Sequence, residues 1–108
     1  MTHVTLYYHD EALTGIQSKG HSGYSLKGSD IICAAVSTLM QSLVLGLQDI
    51  AHVHGLSVEM DEQVPVIRVT WPSSEHERVS LLTMTTAESL RQIAAENPKY
   101  ITITTEEK

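Results

Sequence analysis

The chain has 108 residues, 42% of them hydrophobic and 19% charged, which suits one soluble domain spanning residues 1–108 and leaves no room for separate catalytic and binding domains. Its formal net charge is −6 and its seven basic residues are scattered, so direct contact with nucleic acid is not expected. One cysteine excludes an intramolecular disulfide, and the N-terminus lacks the basic start and apolar run of a signal peptide, so the expected location is cytoplasmic.

"THVTLYY" alternates, with Val4, Leu6 and Tyr8 on one face and Thr5 and Tyr7 on the other, the period of a strand. The acidic turn Asp10-Glu11 joins it to a second strand, "ALTGIQSKG". After Gly28, either Ser29 or Asp30 is a good N-cap for a helix that the pattern carries to about His54, with Gly55 as its closing residue. Residues 31–48 hold no charged side chain but are interrupted by Ser37, Thr38, Gln41, Ser42 and Gln48, which reads as a buried helix and not a membrane span.

"LSVEMD" and "VPVIRVTW" read as a hairpin pair with Ile67, Val69 and Trp71 on one face. Ser74 and Glu77 form a capping-box pattern opening a second helix, which ends near Asn97, just before Pro98. "YITITT" is a closing strand. The expected fold is α+β, a two-layer sandwich of a small mixed β-sheet and two helices in the order ββαββαβ. The first helix is apolar nearly all round, through Leu39, Met40, Leu43, Val44, Leu45, Leu47 and Ile50. One sheet needs only one apolar stripe, so a second cover is expected, either the other helix or a second copy of the chain in a homodimer.

The chemistry concentrates in "GHSGYSLKGSDIICAAVS", where His21 precedes Cys33 by twelve residues across a link containing Gly23 and Gly28 and entered from Gly20. Counted from Ser29 or Asp30, Cys33 falls inside the first helical turn, where unpaired backbone N–H groups stabilise a thiolate and could hold an oxyanion. Imidazole exchanges its proton readily near neutral pH, so His21 could serve as base. The residues alone leave this open, since a lone cysteine between Ile31, Ile32, Ala34 and Ala35 is more commonly a small core residue. Asp30 and Ser37 share a helix face with Cys33. Asp30 could orient His21 or simply sit as a first-turn carboxylate. Ser37 could bond substrate, or bond back to a carbonyl one turn earlier.

"GHSGY" followed by "DIICAAVS" closely resembles the signature of the ribosomal-processing cysteine protease family, Prp, and "VIRVTWP" and "AAENPKYITI" extend the likeness along the chain. The resemblance implies a small bacterial cysteine endopeptidase that removes the N-terminal extension of a large-subunit ribosomal protein by cutting after paired aromatic residues. It implies His21 and Cys33 as catalytic dyad, Asp30 and Ser37 in support, and Gly20, Ser22, Gly23, Tyr24 and Gly28 as a loop over bound substrate. It further implies a two-layer fold dimerising through helices, with no cofactor. Ser22-Gly23 stands where the family commonly has an alanine and a variable residue. With no phenylalanine in the chain, a pocket for substrate aromatics is expected from Tyr24, Leu26, Met40 or Val44.

A metal site is the first rival. His52 and His54 point some 200° apart on a helix, and they, with His3, His9 and His76, read as surface or helix-end residues, so no metal is expected. The second is a non-catalytic dimeric ribosome-associated binding module whose cysteine is inert or redox-sensing. The lack of a resolving cysteine weighs against redox sensing.

Overall fold

The expected order ββαββαβ is observed in the computed structural model, which describes residues 1–20 and 27–108, the side chains of residues 27–29 excepted. β1 (Thr2–His9) and β2 (Ala12–Lys19) form an antiparallel hairpin. Its turn residues Asp10 and Glu11 both take positive φ, 48° and 70°, which matches the right-handed twist of the two strands. β5 (Ile101–Glu107) lies parallel to β1, so the two ends of the chain run side by side. β3 (Ser57–Asp61) and β4 (Val66–Thr70) complete a mixed sheet in the order β3-β4-β2-β1-β5.

Alternation sorts the sheet's two faces. Val4, Leu6, Ile16, Val69 and Ile101 are buried toward the helices. Tyr7 stands on the opposite face and is nonetheless only 6% exposed, because Arg68 and Lys108 lie 5.1 and 4.8 Å from its ring centre. Pairing slips by one residue between Tyr7 and Tyr8, where Thr14 is the extra residue of β2. Buried Trp71 braces this bulge. Its backbone N–H donates to the Thr14 carbonyl and its indole Nε1–H to the Leu13 carbonyl, each at 2.9 Å.

α1 (Lys27–Leu45) buries Ile32, Val36, Met40 and Leu43 along one stripe, a spacing of three and four residues. Each such side chain contributes about 1.5–3 kcal/mol when fully buried. Asp30–Ile50 is long and apolar enough to cross a membrane by length and composition, but this stripe is part of the core. α2 (His76–Glu96) lays Val79, Thr83, Thr86, Ala87 and Leu90 on the same core. Threonine lowers helix propensity, and here the Thr86 hydroxyl is satisfied within the helix by donating to the Leu82 carbonyl at 2.8 Å. The helices meet closely at Gly46, where an added Cβ would come within 2.5 Å of Leu82 Cδ2.

Both helix starts differ from the sequence expectation. α1 begins at Lys27, so Gly28, Ser29 and Asp30 lie within its first turn and neither of the latter two is the cap. A first-turn carboxylate is favoured by the helix dipole, and Asp30 occupies such a place. α2 follows a short 3₁₀ turn (Ser73–Glu75) and makes no side-chain cap bond, so the Ser74–Glu77 box is not formed. Glu75 instead pairs with Arg78. α1 also stops early, at Leu45, passing into a π-helical turn (Gly46–Ile50) closed by the Ala51 N–H to the Gly46 carbonyl at 2.8 Å. His52, with φ 49°, then reverses the chain before Gly55, itself at φ 79°, is reached.

Candidate active site

Cys33 is half-buried on α1 and opens on a cleft of about 270 Å³ between that helix and the β2–β4 end of the sheet. Val36, Ser37 and Gln41 continue the helix wall; Thr2, Ser18 and Gly20 form the floor. The far wall is Met60 together with Pro65, Val66 and Ile67, and Asp61 and Glu62 stand on it at the turn between β3 and β4. The Asp61 carboxylate shapes that turn by accepting from the backbone N–H groups of Gln63 and Val64 at 2.9 and 3.3 Å.

Gly20 is the point where the sheet comes closest to the sulfur. Its N–H donates to the Pro65 carbonyl at 2.9 Å, which ties the end of β2 to the entry of β4. A Cβ added there would lie 3.1 Å from Cys33 Sγ and 3.8 Å from Thr2 Oγ1. A side chain at this position would press on the thiol, which would have to give by a few tenths of an ångström to admit it.

Of the residues singled out in the sequence, Cys33, Ser37 and Gly20 meet in the cleft. Asp30 is exposed and does not line it. Gly28 belongs to the first turn of α1 and not to a loop. His21, Ser22, Gly23 and Tyr24, like Leu26, lie outside the described residues. The expected place of Cys33 in the first helical turn is corrected. With α1 starting at Lys27 it is the seventh residue, beyond the four N–H groups a helix start leaves open, because a glycine and two short polar residues are tolerated in the first turn.

Ser37 makes no hydrogen bond among the described residues, whereas Thr38 bonds back to the Ala34 carbonyl at 2.9 Å. Its hydroxyl thus remains open to the cleft one turn from Cys33.

The expected aromatic pocket is corrected for Met40 and Val44 only, since Tyr24 and Leu26 lie outside the described residues. Met40 is fully buried in the core, and Val44 packs against that core away from the cleft. The apolar wall comes instead from Val36, Met60, Pro65 and Ile67. Sequence reasoning missed this wall because residues 60–67 become neighbours of α1 only through the β2–β4 pairing. Thr2 and Ser18 were legible in principle, since alternation from Val4 and Ile16 puts both on the inner face.

Among the described residues no group of three or more histidine, cysteine or acidic side chains could hold a metal ion. His52 and His54 are exposed, while His76 Nδ1 lies 3.2 Å from the Leu13 carbonyl.

Three comparisons with known proteins bear on this geometry. A family model described as cysteine protease Prp matches residues 1–102. No curated protein matches the sequence. Among solved structures, SMU.848 from Streptococcus mutans superposes with a TM-score of 0.87 at 28% identity, covering 100% of this chain and 96% of that one. The essential ribosomal processing protease Prp from S. aureus, in complex with a substrate peptide, gives 0.85 at 21% identity over 98% and 100% of the two chains. The same S. aureus protease with a covalently linked product peptide gives 0.82 at 20% identity, again over 98% and 100%.

Proposed function

The chain belongs to the Prp family of cysteine proteases, and from that premise we propose that it removes the N-terminal extension of a large-subunit ribosomal protein, with Cys33 as nucleophile and His21 as its base. The observation that carries the assignment is the setting of Cys33, the only cysteine of the chain, whose sulfur opens on a cleft against the bare backbone of Gly20. His21 follows Gly20 directly in the sequence, which supports its assignment as the base.

In the reaction, the imidazole of His21 takes the Cys33 proton and the sulfur adds to the scissile carbonyl carbon. Its π electrons move to oxygen. The C–N bond then breaks as imidazolium returns the proton to the leaving amine. Water, deprotonated by the same imidazole, hydrolyses the thioester and restores the thiol. Ser37 supports the site from the cleft wall, Asp30 from the first turn of α1. Gly20, Ser22, Gly23 and Tyr24 serve as the substrate loop.

We also assign the exposed helix face to a second copy of the chain. Leu45 of α1, Ile50 of the π-helical turn and Leu81 of α2 are 53%, 74% and 85% exposed, large apolar side chains that this chain leaves uncovered. Leu81→Glu is expected to shift sedimentation from dimer to monomer. A wild-type protein that sediments as a monomer at tens of micromolar, as an order of magnitude, would end that assignment.

The deciding experiment uses a peptide carrying the ribosomal extension with its paired aromatic residues. Cys33→Ala abolishes cleavage while circular dichroism shows the fold retained. Turnover by that variant at the wild-type rate would overturn the reading.

A further inference from the structure

β5 is an edge of the sheet. The Thr2 N–H donates to the Tyr100 carbonyl at 2.8 Å, and the Lys108 N–H to the Tyr8 carbonyl at 2.7 Å. Backbone groups alternate sides along a strand, so the even-numbered residues of β5 turn theirs to β1. The N–H and C=O of Ile103, Thr105 and Glu107 therefore point away from the sheet, and none has a hydrogen-bond partner among the described residues. Edges are commonly blunted by proline, lysine or a bulge. β5 carries none of these, its pairing with β1 runs without a slip, and its charges are confined to Glu106 and Glu107.

The helix side of this edge is graded from apolar to acidic. Ile101, Ile103, Thr105 and Glu107 pair with Thr2, Val4, Leu6 and Tyr8 and so share the face turned to the helices. Beside Ile103 the small side chains of Ala94 and Ala95, with Pro98, leave a shallow apolar hollow. Beside Thr105 the carboxylates Glu11, Glu106 and Glu107 surround one cation, Arg91. That guanidinium is already engaged, by Glu88 at 3.3 Å and by donation to the Tyr8 hydroxyl at 3.2 Å. An added strand would lie about 4.8 Å further out and set alternate side chains on this face. An apolar residue would then meet the hollow, and a lysine or arginine four positions along would meet the carboxylates, as Ile103 and Glu107 are four residues apart.

We propose that β5 pairs with an extended basic segment of the substrate protein, outside the extension that is cleaved. The inference rests on the substrate being a ribosomal protein. A protein that neutralises RNA phosphates is rich in lysine and arginine, and this chain carries a net charge of −6. Thr2, on the floor of the cleft, pairs directly with Ile101, so the edge begins one strand away from that floor and one substrate chain can reach both. Main-chain bonds supply affinity in this mode of binding, while the hollow and the carboxylates select the sequence.

The test compares the full-length precursor with a short peptide that carries only the extension and its scissile bond. Thr105→Pro removes one outward N–H and leaves the ladder to β1 intact, since proline is tolerated on an edge whose N–H faces solvent. It is expected to raise KM for the precursor about ten-fold, with kcat and cleavage of the short peptide unchanged. Glu106→Lys raises the same KM without altering the backbone, and decides the matter if the proline variant fails to melt cooperatively. Hydrogen exchange in Cys33→Ala mixed with the precursor reads the edge directly. The amides of Ile103, Thr105 and Glu107 slow on binding, whereas those of Thr102, Thr104 and Glu106 are already protected by β1. Unchanged exchange at the three outward amides, or a precursor KM that Glu106→Lys leaves at the wild-type value, overturns the proposal. Protection of these amides in the protein alone that is lost on dilution would assign the edge to a second copy and likewise overturn it. Protection by a precursor that the wild type does not cleave would overturn the protease reading and retain the docking edge.

Discussion

Gly20→Ala tests whether the sheet and the thiol are as tightly opposed as their geometry indicates. The new Cβ would sit 3.1 Å from Cys33 Sγ, closer than nonbonded atoms settle, while its 3.8 Å approach to Thr2 Oγ1 is ordinary contact. Relief requires the sulfur to retreat by a few tenths of an ångström. Two effects on stability oppose each other. Crowding costs about 1–3 kcal/mol, and the loss of glycine's freedom in the unfolded chain returns about 0.4–1 kcal/mol. With room to yield into an open cleft, the crowding lies at its lower end, so the net change is within about 1 kcal/mol, or roughly 4–8 °C in Tm for a domain of this size. Catalysis is less forgiving, because displacing a reacting atom by about 1 Å costs on the order of a hundred-fold. A few tenths therefore predict a loss of about three- to ten-fold in kcat/KM, with a matching change in the alkylation rate of Cys33 by iodoacetamide. Scanning calorimetry, peptide cleavage and alkylation on the same preparation separate the two effects. Wild-type cleavage and alkylation in a folded Gly20→Ala protein would refute the contact, and a global loss of folding would refute the claim that the cleft can yield.

Trp71→Phe removes the indole donor to the Leu13 carbonyl, with His76 Nδ1 at 3.2 Å the remaining group near it. The expected cost is about 1–3 kcal/mol in urea denaturation, with the slope unchanged, and a loss under about 0.3 kcal/mol would show the brace to be dispensable. His9 has a pKa raised above 6.5, first by its Nδ1 bond to the Lys108 carbonyl at 2.8 Å and then by Asp10. A group with a raised folded pKa stabilises fully below its unfolded value and loses that contribution as pH rises through the folded one. The melting difference between wild type and His9→Ala is therefore present at mildly acid pH and vanishes at alkaline pH. An NMR titration midpoint at or below 6.5 for His9 would contradict the assignment.

Much of the fold was legible because its signals are local. Alternation marked Val4 and Leu6 for the core, and the uncharged run over residues 31–48 marked α1 as a buried helix, although its stripe from Ile32 to Leu43 emerged only in the fold. The acidic turn at Asp10-Glu11 was read correctly for the same reason. The helix ends were less legible. Ser29, Asp30 and Ser74 are good caps by residue type, but capping chemistry is shared by first-turn positions and 3₁₀ turns. The neighbouring backbone decides between them.

The site divides along the same line. By itself the sequence determined that one thiol, one nearby histidine and Ser37 belong to a single stretch, and it marked Gly20 at the edge of that stretch. Tertiary structure alone decided what that stretch faces. The pairing of β2 with β4 brings Met60, Pro65 and Ile67 across from α1. The closeness of Gly20 to the sulfur makes a flexible-looking glycine a point of tight approach. Thr2 and Ser18, unremarkable in their strands, become the polar floor of an apolar cleft. Residue type and periodicity report on the nearest turns of the chain, whereas a cleft is made by segments that meet only after the sheet has chosen its order.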